Sequence, residues 1–222
     1  MTSAALLDRR ALKRRRRARR RTGQDAGGAV TMGSYLGDPL LFLIDTIFGL
    51  YVIAVMLRFI LQMVRADFFN PISQFLVQIT QPALQPLRRV VPGLAGVDVS
   101  SVVLMILVQA VALALMSLVA YGQVNAPCYV LARTPVELVG LVFTLYTMAI
   151  IVMAVISWIN PDRYNPVQTM LYAMTEPLLR PFRQLIPPIG GIDLSPLAAI
   201  IALQVLKMLL MRPLNNAVPP IF

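Results

Sequence analysis

The chain has no histidine and a single cysteine, Cys128, in 222 residues. Histidine-based acid–base catalysis, imidazole ligation and an internal disulfide are therefore excluded, as is any Cys/His cluster for zinc, haem or iron–sulfur. Cys128, in a short Asn-Ala-Pro-Cys stretch, reads as an inert thiol. Charge is also scarce. Only 14% of residues are Asp, Glu, Lys or Arg, against about a quarter in soluble domains. In its place, 58% of residues are hydrophobic, mean hydropathy is +0.72, and the apolar residues fall in long runs. That is the composition of a membrane protein.

The formal net charge of +10 describes a tail rather than a basic surface. Ten of the 20 basic residues lie between Arg9 and Arg21, and from Asp25 onward ten basic residues meet nine acidic ones. Residues 1–31 read as a disordered Arg-rich tail. It contains ALKRRRRARRRTGQ and no apolar run, so it is not a signal peptide. Three readings compete: a solvated tail touching anionic lipid, a weak nucleic-acid binder, or a mis-assigned start with Met32 as the true first residue. Nucleic acid is disfavoured as a partner because no folded reader accompanies the arginines.

The dominant feature is an internal repeat. Residues 70–100 read NPISQFLVQITQPALQPLRRVVPGLAGVDVS, and 95 residues later 165–195 read NPVQTMLYAMTEPLLRPFRQLIPPIGGIDLS. Twelve of the 31 positions are identical without a gap, from Asn70/Asn165 and Pro71/Pro166 to Asp98/Asp193 and Ser100/Ser195. Hydrophobic runs flank each copy. The expected fold is an all-α membrane protein with four transmembrane helices in two parallel repeats, each with an interfacial amphipathic helix between its spans. Repeat 1 covers 35–122 (span 39–64, interfacial helix 70–87, span 102–121), followed by a linker at 123–135. Repeat 2 covers 136–212 (span 136–159, interfacial helix 165–182, span 197–211). Two crossings per repeat put both motif copies on one side of the membrane.

The motif has a physical reading. Asn70-Pro71 and Asn165-Pro166 are helix starts, an Asn cap followed by Pro at the first helical position. Apolar residues then fall on one helix face at Ile72, Phe75, Leu76, Ile79 and Ala83, which predicts a face turned to lipid. Pro82 and Pro86, and Pro177 and Pro181, interrupt the helix. Arg88 and Arg183 then stand at headgroup height, where they can meet lipid phosphate. Pro92 and Gly96 turn the chain, and Asp98/Ser100 and Asp193/Ser195 cap the returning span. Trp158 suits a membrane edge.

Polar residues within spans are functional candidates by default. Gln109 and Gln204 are repeat mates, and a hydrogen bond between them is the plainer reading. Lys207 and Arg58 are expected to snorkel to an interface, Arg58 anchoring the motif loop. An Arg–Asp pairing between the copies, Arg88 with Asp193 and Arg183 with Asp98, is a further expectation. Candidate lipid- or partner-contact residues are therefore Arg58, Asn70, Pro71, Arg88, Asp98, Asn165, Pro166, Arg183 and Asp193. Catalytic, cofactor-binding and metal-binding residues are expected to be absent. The partners expected are the bilayer with its anionic headgroups, and a membrane protein or a second copy. Orientation depends on the tail. Six arginines lie on the motif side and two on the other side, or twelve basic residues there when the tail is included, so the positive-inside rule gives opposite answers.

The doubled NP…T-x-P…P-x-R…P…G-x-D-x-S signature between hydrophobic spans, from about Tyr35 to Met211, resembles the YggT (YlmG) family. DFFNPISQFLVQITQPALQPLRRVVP and SWINPDRYNP are similar to a two-repeat proteobacterial member. The resemblance implies a multi-pass protein of the bacterial inner membrane, linked to tolerance of osmotic shock and to membrane or division-site organisation. Photosynthetic relatives imply a second theme, assembly of a covalently bound haem in the cytochrome b6f complex. The expected function is a non-catalytic organisation or assembly factor. The alternatives are a small osmotic transporter or channel subunit, with Arg58, Asp98 and Asp193 along its path, or an assembly partner in haem-protein maturation.

Overall fold

The computed structural model describes residues 37–66, 69–91, 93, 98–159, 165–186 and 193–219. The Arg-rich tail, the side chain of Trp158, and the turns at Pro92, Gly96, Pro187 and Gly191 lie outside the described residues. The chain divides at Leu43/Ile44 into two units. The first contributes only the opening turns of the first helix to the description, and all packing below belongs to the second.

Six helices are described. They are α1 (Gly37–Met63), α2 (Pro71–Val90), α3 (Val99–Tyr121), α4 (Pro127–Ile159), α5 (Pro166–Leu185) and α6 (Ser195–Ala217). Four of these, α1, α3, α4 and α6, are long and apolar enough to cross a membrane. Repeat 1 is α1–α2–α3 and repeat 2 is α4–α5–α6. Helix α4 packs on α3, α5 and α6, and α2 and α5 pack on each other.

Four pairs of repeat mates are among the most deeply buried positions. Val55/Ile150, Thr80/Thr175, Leu84/Leu179 and Ser100/Ser195 are all 0% exposed. At these positions the two copies bury matching places, and both contribute to one core. Many hydroxyls point inward while large apolar side chains such as Leu107, Val111, Ile151, Leu206 and Leu209 are exposed. This suits an apolar surrounding, where association comes from close packing and interhelical hydrogen bonds rather than from a hydrophobic driving force. Gly140 shows the closeness. A Cβ there would stand 3.4 Å from the Met211 methyl of α6.

The helices run further than their sequences suggest. The segment 123–135, expected as a linker, is mostly helix, because α4 starts at Pro127 and continues through Pro135. Arg133 explains why a charged, proline-bearing stretch stays helical. Its side chain is buried. It donates to Glu137 four residues on, at 2.9 and 2.6 Å, and to Asn215 Oδ1 and the Val218 carbonyl at 2.7 and 2.8 Å. The same clamp satisfies the end of α6, so that helix passes the expected stop at Pro213 and ends at Ala217. Likewise α2 and α5 pass their prolines and end at Val90 and Leu185 rather than at 87 and 182. Pro82, Pro86, Pro177 and Pro181 are all exposed. Each ring can disturb only its own preceding turn, and the buried face carries none of them.

Helix ends follow local chemistry. Asn70 and Asn165 cap α2 and α5, each side-chain oxygen accepting from the N–H two residues on at 2.9 Å. Gly122, at φ +69°, ends α3 in the left-handed conformation with its N–H on the Leu118 carbonyl at 2.9 Å. Arg65 does the same work after α1 at φ +52° without being glycine, and Ala66 N–H closes on the Leu61 carbonyl at 2.9 Å.

Candidate functional site

The two motif helices and the helix ends around them form the candidate site. The buried face of α2 is Ser73, Leu76, Thr80 and Leu84, and that of α5 includes Met170, Met174, Thr175 and Leu179. The apolar stripe predicted for lipid is therefore split. Leu76 turns into the protein, while Phe75 and Ile79 stay exposed. The polar Thr80 and Thr175 face inward because each hydroxyl has a carbonyl one turn back, Leu76 at 2.6 Å and Leu171 at 2.8 Å.

Arg58 does not snorkel outward. Its side chain is buried and lies against α2, where Nη1 donates to Thr80 Oγ1 at 2.7 Å and Nη2 to Gln81 Oε1 at 2.9 Å. Among the described residues it forms no ion pair with a carboxylate. Its repeat mate, Met153, takes the equivalent place, and Thr175 Oγ1 donates to the Met153 sulfur at 3.1 Å. Gln81 has Glu176 as its mate. The first copy thus sets a cation against neutral acceptors, whereas in the second the thioether meets Thr175 and the Glu176 carboxylate turns to Arg183.

The motif copies meet at Asn70. Its Nδ2 donates to the Pro166 carbonyl at 2.6 Å. Pro71 and Pro166 hold the first positions of α2 and α5. Asn165 caps its own helix, and the reciprocal bond to Pro71 is not formed among the described residues.

The Arg–Asp pairs form within the copies, not between them. Arg88 pairs with Asp98, and Arg183 Nε with Asp193 Oδ2 at 3.1 Å. Both pairs join residues ten apart across the turn into the next span. Each aspartate, at the start of the next helix, meets the arginine near the end of its own motif helix. These arginines are therefore already neutralised. The exposed cations left for phosphate on α2 and α5 are Arg89 and Arg180, which form no ion pair among the described residues.

The two pairs differ in surroundings. Asp98 accepts from Arg88 and from Ser101 Oγ at 2.9 Å, so its side chain joins the end of α2 to the first turn of α3. Burial alone raises the Asp98 carboxyl, but the bonds from Arg88 and Ser101 outweigh it and hold the pKa below the usual range. For Asp193 burial again pushes upward, and Ser195 and Arg183 together lower it. Its Oδ1 accepts from the Ser195 N–H at 2.9 Å, a true cap on α6. Arg183 also binds Glu176 and the Tyr172 hydroxyl and stacks on the Tyr172 ring at 5.2 Å. Burial lowers its pKa, and the negative groups around it more than restore it, so it stays cationic.

Two expected contacts are replaced. Gln204 Nε2 donates to Thr147 Oγ1 at 3.4 Å rather than to Gln109, and Lys207 Nζ reaches Thr144 Oγ1 at 3.1 Å instead of an interface. Both partners lie on α4, the neighbour against which α6 packs. Sequence reasoning missed the roles of Gln81, Glu176 and Tyr172, although the repeat alignment already set the first two opposite each other.

The family profile described as CCB3/YggT matches residues 37–119 and again 133–214, one match per repeat. A protein of Pseudomonas aeruginosa is 42% identical over 180 residues, 81% of this chain and 91% of the relative. A protein of Vibrio alginolyticus is 36% identical over 174 residues, 78% of this chain and 94% of its own. YggT of Escherichia coli K12 is 36% identical over 174 residues, 77% of this chain and 88% of its own. No solved structure matches the chain. With a profile covering both repeats and relatives of this similarity, the chain belongs to the CCB3/YggT family.

Proposed function

We propose that this chain is a non-catalytic protein of the bacterial inner membrane that organises or assembles membrane partners and so contributes to osmotic-stress tolerance. The observation that carries the reading is how the motif spends its polar groups. Arg58 holds α2 to α1, Asn70 holds α2 to α5, and Arg88 and Arg183 tie the motif helices to the spans that follow. The repeat therefore acts as a brace. It leaves outward a surface with Phe75, Val90 and Leu185 beside Arg89 and Arg180. Apolar residues beside cations suit a helix at the membrane surface, in contact with anionic headgroups and a partner protein or second copy.

A small transporter or channel is the competing reading, with Arg58, Asp98 and Asp193 along a path. The bonding of Arg58 and Asp98 favours the brace, since a conducting path needs groups that exchange partners with the solute. The haem-protein assembly theme fits the brace as a partner role. Liposomes containing only this protein separate the classes. The brace predicts no ion or solute flux above empty vesicles, and clear flux sinks it. A deletion strain with poorer survival of osmotic upshift, restored by the wild-type chain, is the expected cellular result.

A further inference from the structure

We propose that the polar cavity beside Arg183 binds a primary ammonium group. The cavity holds about 800 Å³ and is lined by Ser157 of α4, by Gln168, Tyr172 and Arg183 of α5, and by Asp193 at the start of α6. Three elements build it, and its size suits a small organic group.

The charge balance selects the ligand. Arg183 lies between two carboxylates, Glu176 behind it and Asp193 on the cavity wall, which leaves this three-residue cluster with one net negative charge. Arg180 is exposed, does not line the cavity and forms no ion pair among the described residues. The donors of Arg183 are already engaged with Asp193, Tyr172 and Glu176. What remains at the cavity wall is acceptor capacity, because the Asp193 carboxylate offers about four lone-pair sites and accepts only from Arg183 and the Ser195 N–H. Gln168 lines the cavity as well, and its Oε1 is buried without a hydrogen-bond partner.

Comparison of the repeats makes the same point. In the first copy the protein supplies its own cation, the Arg58 guanidinium, to Thr80 and Gln81. In the second copy Met153 replaces that arginine and Glu176 replaces Gln81. The Arg58 equivalent is gone where a carboxylate has been added, and the one cation that Glu176 meets, Arg183, is shared with Asp193. A hard divalent metal finds too few ligands, since no group of three or more His, Cys, Asp or Glu capable of holding one occurs among the described residues. An ammonium needs only acceptors for its three N–H donors. It can come from a phosphatidylethanolamine headgroup or from a free amine.

The test uses the full-length chain in detergent. Retention of phosphatidylethanolamine against phosphatidylcholine is measured by native mass spectrometry, and thermal stability is followed with ethanolamine alone. The wild type is expected to prefer phosphatidylethanolamine about tenfold, the effect of one charge-assisted hydrogen bond. Asp193→Asn with Glu176→Gln is expected to bring the ratio near one. Ser157→Trp fills the cavity without removing a charge and is expected to do the same, so a folding defect in the first variant leaves the question answerable. Ethanolamine that stabilises the protein and displaces the lipid identifies a free amine as the source, and a response to the lipid alone identifies the headgroup. Equal retention of both lipids with no effect of ethanolamine overturns the proposal, as does a preference that survives Ser157→Trp.

Discussion

Asn70 Nδ2 donates to the Pro166 carbonyl at 2.6 Å, and this bond joins the two copies of the motif at their first turns. The donor is the residue that also caps its own helix through Oδ1 at 2.9 Å. One side chain therefore fixes both the start of α2 and its position against α5. Asn165 performs only the first of these tasks.

That asymmetry yields a prediction. Asn165→Ala removes a cap and is expected to cost about 1 kcal/mol. Asn70→Ala removes a cap and the bond between repeats, and is expected to cost about 2 kcal/mol. Unfolding in mixed micelles with rising SDS measures both. Equal losses would show that the bond between copies contributes nothing.

Arg58 and Met153 are two solutions to one packing position. Arg58→Ala leaves a void and strips Thr80 and Gln81 of a charged donor, with an expected loss of about 2 kcal/mol. Arg58→Met installs the second copy's solution, with an expected loss below about 1 kcal/mol. The same SDS titration reads both, and an Arg58→Met loss as large as that of Arg58→Ala contradicts the account.

The arginine–aspartate pairs lie within copies. Arg88→Asp is expected to be rescued by Asp98→Arg and not by Asp193→Arg, judged by the yield of folded, monodisperse protein. Rescue by the Asp193 partner instead would restore pairing between copies.

These pairs also set a pH dependence. Asp98 and Asp193 both have folded-state pKa values below the ordinary one. The unfolded chain then binds more protons in the acid range, so stability rises with pH there. The contribution is fully present above the unfolded carboxylate pKa of about 3.9. It is lost as pH falls through the depressed native values. Unfolding followed from pH 6 to about 2 is expected to show a decline that is weaker in Asp98→Asn.

Arg65 adopts a left-handed conformation that glycine enters without strain. Arg65→Gly is expected to raise stability by up to about 1 kcal/mol, read as a higher midpoint in the same titration. A lower midpoint would assign the arginine a contact that outweighs its backbone strain.

Much of the architecture was legible before any coordinates. Four apolar runs, a repeat at a spacing of 95 residues and two Asn-Pro starts required an all-helical chain of two parallel halves. These features are local or periodic. A cap, an apolar run and a duplication each reside in contiguous residues and need no partner to be recognised.

What only the tertiary structure decided concerns partners. The sequence read Pro82, Pro86, Pro177 and Pro181 as interruptions, 123–135 as a linker and 211 as the end of the last span, but each helix continues, through Pro135 and Pro213 because Arg133 clamps α4 to the end of α6. It paired Arg88 with Asp193, whereas Arg88 meets Asp98. Which residues of α2 are buried likewise depended on the neighbours, not on hydrophobicity alone, since Thr80 is buried and Phe75 is not. Whether a proline breaks a helix, and which carboxylate an arginine reaches, are settled by distances between residues far apart in the chain. Propensity and periodicity carry no information about those distances. They are fixed when the two motif copies pack together, with Asn70 against Pro166 and Arg58 against Thr80.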